Sequence, residues 1–165
     1  MRTVVGIDPG LAATGWGVVR FDGVHFTHVG HGVVTTDPDT PLPQRLLKIH
    51  TEIRKVLTKF HPTEAGVEEL FFSKNISSAM QVAHARGTVL LALGQRGIAV
   101  GTYSPQHVKQ AVIGRGRADK DQVQRLVSVV LGMREIPGPA HAADALAIAI
   151  CHATRSPGYV QQLNG

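Results

Sequence analysis

Apolar positions along the 165-residue chain follow two periods, and the period changes mark the elements. Residues 3–8 (TVVGID) form a short β-branched run ended by Pro9-Gly10, which predicts a buried strand. Residues 14–20 and 24–35 predict two more strands, with Phe21-Asp22-Gly23 as a turn between them. Three strands joined by short turns make an antiparallel meander. After the breaker DPDTPLP, the residues Leu46, Leu47, Ile49, Ile53, Val56, Leu57 and Phe60 recur at helical spacing. His61-Pro62 stops that helix. Residues 64–72 predict a fourth strand and 98–104 a fifth. Further helices are expected from Asn75 to about 93, from Ser104-Pro105 to about 113, from about 119 to 131, and from Pro139 onward.

Strands separated by helical crossovers lie parallel to their neighbours. The expected fold is therefore α/β: a five-stranded mixed sheet, three strands antiparallel and two parallel, flanked by helices on both faces. No internal repeat or linker interrupts the pattern. The chain reads as one domain over residues 1–156, with a flexible tail over 157–165.

Composition narrows the class. Hydrophobic residues are 43% and charged residues 18%, as in a globular protein. Lys+Arg 17 against Asp+Glu 12 gives a formal net charge of +5, which suits a polyanionic partner. The single cysteine, Cys151, excludes an intrachain disulfide and fits a reducing compartment. The start lacks a signal-peptide pattern, and no stretch approaches the roughly 20 apolar residues of a membrane helix. A cytoplasmic protein is expected.

Three polar features sit oddly at the ends of apolar elements. Asp8 ends the first strand, where a carboxylate is costly unless solvated, bonded or bound to a cation; it is also a good turn residue bonding its own backbone. Glu68-Glu69 follows the run Ala65-Gly66-Val67, and alternation places Glu68 on the face opposite Val67, from which it can join Asp8. His141 and Asp144 open an alanine-, leucine- and isoleucine-rich helix and share one of its faces. That pair reads either as a polar first turn that favours the helix dipole or as two ligands. Gathered carboxylates repel one another, a divalent cation relieves that, and oxygen-rich clusters suit Mg²⁺ or Mn²⁺. On a basic protein the combination suggests phosphodiester chemistry with two metals.

Two other patterns carry less. His25, His28 and His31 recur every three residues, but strict strand alternation turns His28 away from the other two, which argues against a metal site. GRGRAD lacks the third glycine of a dinucleotide fingerprint and the Gly-Lys-Ser/Thr of a phosphate loop. The helix from Asn75 shows two apolar stripes, Ile76-Met80-Ala83-Leu90 and Val82-Val89-Leu93; one can pack on the sheet, and the other is either buried too or meets a second subunit.

Taken together and in order, GIDPGLAATGWGVV, VEELFFSKN, QVAHARG, VKQAVIGRGRADKDQVQ and HAADALAIAI resemble the RuvC family of bacterial Holliday-junction resolvases, from the first strand to about Ala153. The resemblance implies a ribonuclease-H-like fold and a homodimer that nicks two opposed strands of a four-way DNA junction in recombination and repair. It implies two divalent ions per subunit, Mg²⁺ or Mn²⁺, and docking with a branch-migration complex. It places the catalytic, metal-binding set on Asp8, Glu68 and Asp144. His141 stands where the family usually has a further aspartate; imidazole is a ligand in its neutral form, and the exchange favours Mn²⁺ over Mg²⁺. Lys120 is assigned to charge stabilisation at the phosphate. Lys109, Arg115, Arg117, Lys74, Asn75 and again Lys120 form the DNA-binding set, with Phe71 stacking on bases, a contact worth about 1–3 kcal/mol. The rival readings are a junction-binding protein without catalysis, an RNA-processing nuclease of related fold, and an actin-like nucleotide-binding module suggested by GIDPG.

Overall fold

A computed structural model describes residues 1–70, 75–114 and 117–155. Phe71, Lys74, Arg115 and the segment 156–165 lie outside the described residues. The elements, in chain order, are β1 (Arg2–Asp8), β2 (Ala13–Phe21), β3 (Phe26–Thr35), α1 (Leu42–Phe60), β4 (Glu64–Glu68), α2 (Ile76–Gly94), β5 (Ala99–Tyr103), α3 (Pro105–Ile113), α4 (Lys120–Val130) and α5 (Ala140–Thr154). No described helix is long and apolar enough to cross a membrane.

The sheet order is β3-β2-β1-β4-β5. β1, β2 and β3 pair antiparallel, while β4 runs parallel to β1 and β5 parallel to β4, as the crossover argument requires. Both faces are covered. Val5, Ile7, Val18, Ala65 and Val67 pack against Ile49, Ile53, Val89 and Leu93 of α1 and α2. Val4 and Val19 pack with Val108 of α3, Val123 and Val127 of α4, and Leu146, Ile148 and Ile150 of α5 on the other face. Alternation along β1 thus sends Val5 and Ile7 to the α1/α2 side, and Asp8 to the α5 side.

α5 lies very close to the sheet because glycines stand beneath it. A Cβ on Gly6 would meet Ala145 O at 2.0 Å and Ala149 N at 2.5 Å. A Cβ on Gly15, the cross-strand partner of Asp8, would meet His141 O at 2.0 Å. The far end of α5 is tied by a buried network. His152 bonds the Tyr103 hydroxyl through Nδ1 and Glu64 through Nε2, each at 2.9 Å. Glu64 in turn accepts two bonds at 2.7 Å from Arg2. Those bonds, with the His152 bond, outweigh burial and hold the Glu64 carboxyl down at about 2.

Several boundaries differ from expectation for local reasons. β3 starts at Phe26, not Val24, because Asp22 accepts bonds from Val24 N and His25 N and holds both in the turn. α1 starts four residues earlier than its apolar spacing suggests; Pro43 sits in its first turn, where a missing N–H is harmless. β4 ends at Glu68, four residues before the predicted end at Phe72. Strict alternation also fails in β3. The register shifts between Val18 and Val19, whose partners are Gly30 and His28, so Val29 is the extra residue of a bulge. His28 and His31 therefore share a face, with Nε2 and Nδ1 2.8 Å apart.

Candidate active site

The site forms where three chain segments end. Ile7 pairs with Val67 in the parallel β1–β4 ladder, and both face α1 and α2. The next residues, Asp8 and Glu68, therefore emerge side by side on the α5 face at the carboxyl ends of their strands, the usual place for ligands in parallel sheets. The first turn of α5 arrives over Gly15 and brings His141 and Asp144 to the same point. His141 Nδ1 lies 3.2 Å from Asp8 Oδ2. One ligand atom each from Asp8, His141 and Asp144 fall within 4.8 Å of one another.

The alternative roles of these residues are not the ones the geometry adopts. No side-chain hydrogen bond caps the α5 N-terminus, so His141 and Asp144 turn to the sheet. The Asp8-Pro9-Gly10 turn is held by Thr14, whose hydroxyl donates to Gly10 O at 2.6 Å and lies 3.3 Å from Gly10 N. Asp8 is left to face Glu68 and His141.

Electrostatics single out this pair of carboxyls. Burial pushes Glu68 up to about 8, and the hydrogen bond from its carboxyl to Asp8 and the Asp8 and Asp144 charges push in the same direction. Burial and the Asp144 charge raise Asp8 as well, against the lowering effects of the Glu68 bond and Lys120. Both carboxyls are pushed toward the protonated form, as gathered carboxylates are wherever nearby positive charge is insufficient. The cluster of Asp8, His141 and Asp144, two carboxylates and one imidazole, is consistent with divalent metal binding.

Basic groups flank the acids. Lys120, the first residue of α4, places Nζ 3.3 Å from Asp144 Oδ2 while remaining 62% exposed. It is aimed by a capping box, in which Asp119 and Gln122 exchange bonds at the helix start. Lys109 of α3 lines, with Glu68, Lys120, Asp144 and Val108, a cleft of about 170 Å³ beside the carboxylates. Arg117 is exposed in the segment leading into α4. Asn75 caps α2 by accepting from Ser78 N, so its side chain has a local structural task. Phe71, Lys74 and Arg115, expected in the DNA-binding set, lie outside the described residues.

Comparison with known proteins agrees with this arrangement. The family model for crossover junction endodeoxyribonuclease RuvC matches residues 4–152. The chain belongs to the RuvC family. Curated relatives named crossover junction endodeoxyribonuclease RuvC include one from Chloroflexus aurantiacus, 50% identical over 153 residues and covering 93% of each chain. Another, from Treponema denticola, is 50% identical over 147 residues, covering 89% of this chain and 83% of that protein. The solved structure of T. thermophilus RuvC in complex with Holliday junction substrate superimposes with a TM-score of 0.89 at 42% identity, covering 93% of both chains. The fold is ribonuclease-H-like and, as a RuvC family nuclease, the chain is a crossover junction endodeoxyribonuclease.

Residue reasoning missed two features of the site. The glycines under α5 gave no signal beyond a β-strand rich in glycine, a mark of close backbone approach. Arg86 of α2, part of the QVAHARG motif, reaches the main chain of Glu68 at 3.2 Å.

Proposed function

We propose that this chain resolves four-way DNA junctions by divalent-metal-dependent nicks in opposed strands, with Asp8, Glu68, His141 and Asp144 as the metal-binding set. The observation that carries this reading is the convergence of Asp8, His141 and Asp144, with Glu68 at the neighbouring strand end lining the same cleft as Asp144, Lys120 and Lys109. Asp8 and Glu68 would hold the cations between the strand ends, and Asp144 and His141 would complete the set from α5. Bound there, such cations supply water activation and charge neutralisation at the phosphate. Lys120 reaches the edge of the cluster and neutralises charge developing on the scissile phosphate. Lys109 and the basic segment containing Arg115 and Arg117 hold the backbone by charge. Cuts mapped on four-way, duplex and single-stranded DNA, each with Mg²⁺ or Mn²⁺, test the reading. Paired nicks confined to the junction are expected. Binding without metal-dependent nicking would favour the non-catalytic rival.

The chain acts as a homodimer in this proposal. α2 supports it with an exposed apolar stripe of Ile76 (74% exposed), Met80 (58%) and Leu91 (57%), with the small residues Ala83 and Gly87 between them. Val89 and Leu93 of the other stripe are buried against the sheet, and Leu90 packs with them, so Leu91 replaces Leu90 on the free face. A two-fold pair presents two equivalent sites to two equivalent strands.

A further inference from the structure

Arg86 leaves α2 and runs to the end of β4. Its Nε donates to the main-chain oxygen of Glu68 at 3.2 Å, and its Nη2 to Thr102 Oγ1 of β5 at 3.4 Å. The β1–β4 ladder closes one residue earlier, at Ile7 and Val67. Glu68 is thus past its last β1 partner, at the point where a strand end would fray. On the β5 side it is held through its pairing with Tyr103 and the bond from Glu69 N to Tyr103 O at 2.8 Å. Arg86 adds the tie from the helix layer. The guanidinium is half-buried, and its donors are fixed in one plane, so it sets both position and direction of the groups it binds.

The consequence falls on the Glu68 side chain. The Glu68 carboxyl, on the strand end next to Asp8, moves with its own main chain, and a ligand set tolerates displacements of only a fraction of an ångström. The same helix carries the exposed stripe of Ile76, Met80 and Leu91.

We propose that Arg86 is a positioning residue for Glu68, locking the end of β4 so that the Asp8–Glu68 pair keeps the separation a divalent ion needs. The proposal rests on the functional reading above. Arg86→Met removes every donor at similar length, and Arg86→Lys keeps the charge but replaces the planar fork with a single ammonium group. Three quantities are measured for each: junction affinity in EDTA, single-turnover cleavage in Mn²⁺, and the rise in Tm that Mn²⁺ alone produces in the DNA-free protein. For Arg86→Met, junction affinity should stay near the parent value. Cleavage should fall about 10–100-fold, the usual cost of removing a group that orients a metal ligand. The Mn²⁺-induced rise in Tm should shrink, and Arg86→Lys should fall between parent and Arg86→Met on both scales. Parent-like cleavage and Mn²⁺ response in Arg86→Met would overturn the proposal, as would equal losses of affinity and cleavage with the Mn²⁺ response unchanged. If Arg86→Met does not fold, Arg86→Lys decides: unchanged cleavage and Mn²⁺ response there would overturn it. If the parent itself does not cleave, the functional reading fails, and the Mn²⁺-induced rise in Tm still tests the positioning.

Discussion

His141 Nδ1 stands 3.2 Å from Asp8 Oδ2, although 133 residues separate them in the chain. The approach is possible because Gly15, opposite Asp8, leaves no side chain under the first turn of α5. A nitrogen ligand in place of a carboxylate lowers the negative charge of the site and suits transition metals better than Mg²⁺. Cleavage should therefore be faster in Mn²⁺ than in Mg²⁺ at equal concentration. His141→Asp should raise the Mg²⁺ rate relative to Mn²⁺, and His141→Ala should lose most activity with either ion. A His141→Ala protein that cleaves like the parent would make His141 a bystander.

Asp8→Asn and Glu68→Gln remove ligand charge and leave the basic surface intact. Cleavage should drop by more than about 100-fold, since groups that merely orient ligands already cost about 10–100-fold. Junction affinity, read by gel shift in EDTA, should be retained. Loss of binding in both variants would show these carboxyls to be structural.

The raised Glu68 carboxyl contributes to how metal-free stability responds to pH. Glu68 is held at about 8, against 4.5 for an ordinary glutamate. Between those values the folded protein retains a proton that the unfolded chain has released, so stability falls as pH rises. His28 and His152, both lowered by burial from 6.5, act in the opposite direction at lower pH. The Glu68 contribution is therefore read from about pH 7 to pH 8, where Tm measured in EDTA should decline and the decline should flatten in Glu68→Gln. Mn²⁺ at pH 8 should restore the loss, because Asp8 and Glu68 would hold the cation in their ionised forms. A metal-free Tm that climbs across this window would contradict the carboxyl pairing.

Gly15→Ala tests the approach of α5. The added Cβ would lie 2.0 Å from His141 O and 2.4 Å from His141 C, both rigid backbone. Overpacking of this kind costs about 1–3 kcal/mol. Calorimetry should show that loss, and cleavage should fall further than the unfolded fraction explains, because His141 and Asp144 move away from Asp8. Parent-like cleavage in a destabilised protein would mean the site tolerates the shift.

Lys109→Ala, Arg115→Ala and Arg117→Ala should each weaken junction binding, and each lost phosphate contact should reduce the salt slope by about one. Lys109 lines the cleft beside Glu68, and Arg117 is exposed in the segment before α4. An unchanged slope in all three would put the DNA on another surface.

Local pattern was enough for the sheet and its helices. β-branched runs, breakers and 3.6-residue spacing are properties of adjacent residues, and they announce β1, β2, α1 and α5 directly. The same alternation that sends Ile7 and Val67 to one core sends Asp8 and Glu68 to the other face, so the carboxylate pair was legible too. What failed, failed where a neighbouring element sets the geometry. The bulge at Val29 is decided by pairing with β2, and it turns His28 toward His31 against strict alternation. Arg86 looks like any helix arginine until the strand end beside it is known. His141 and Asp144 could cap a helix or bind an ion, and nothing within HAAD chooses between the two. The choice lies in glycines more than a hundred residues away, whose missing side chains let α5 settle onto β1 and β2. Periodicity is written along the chain, whereas close approach is a property of two surfaces and exists only once they meet.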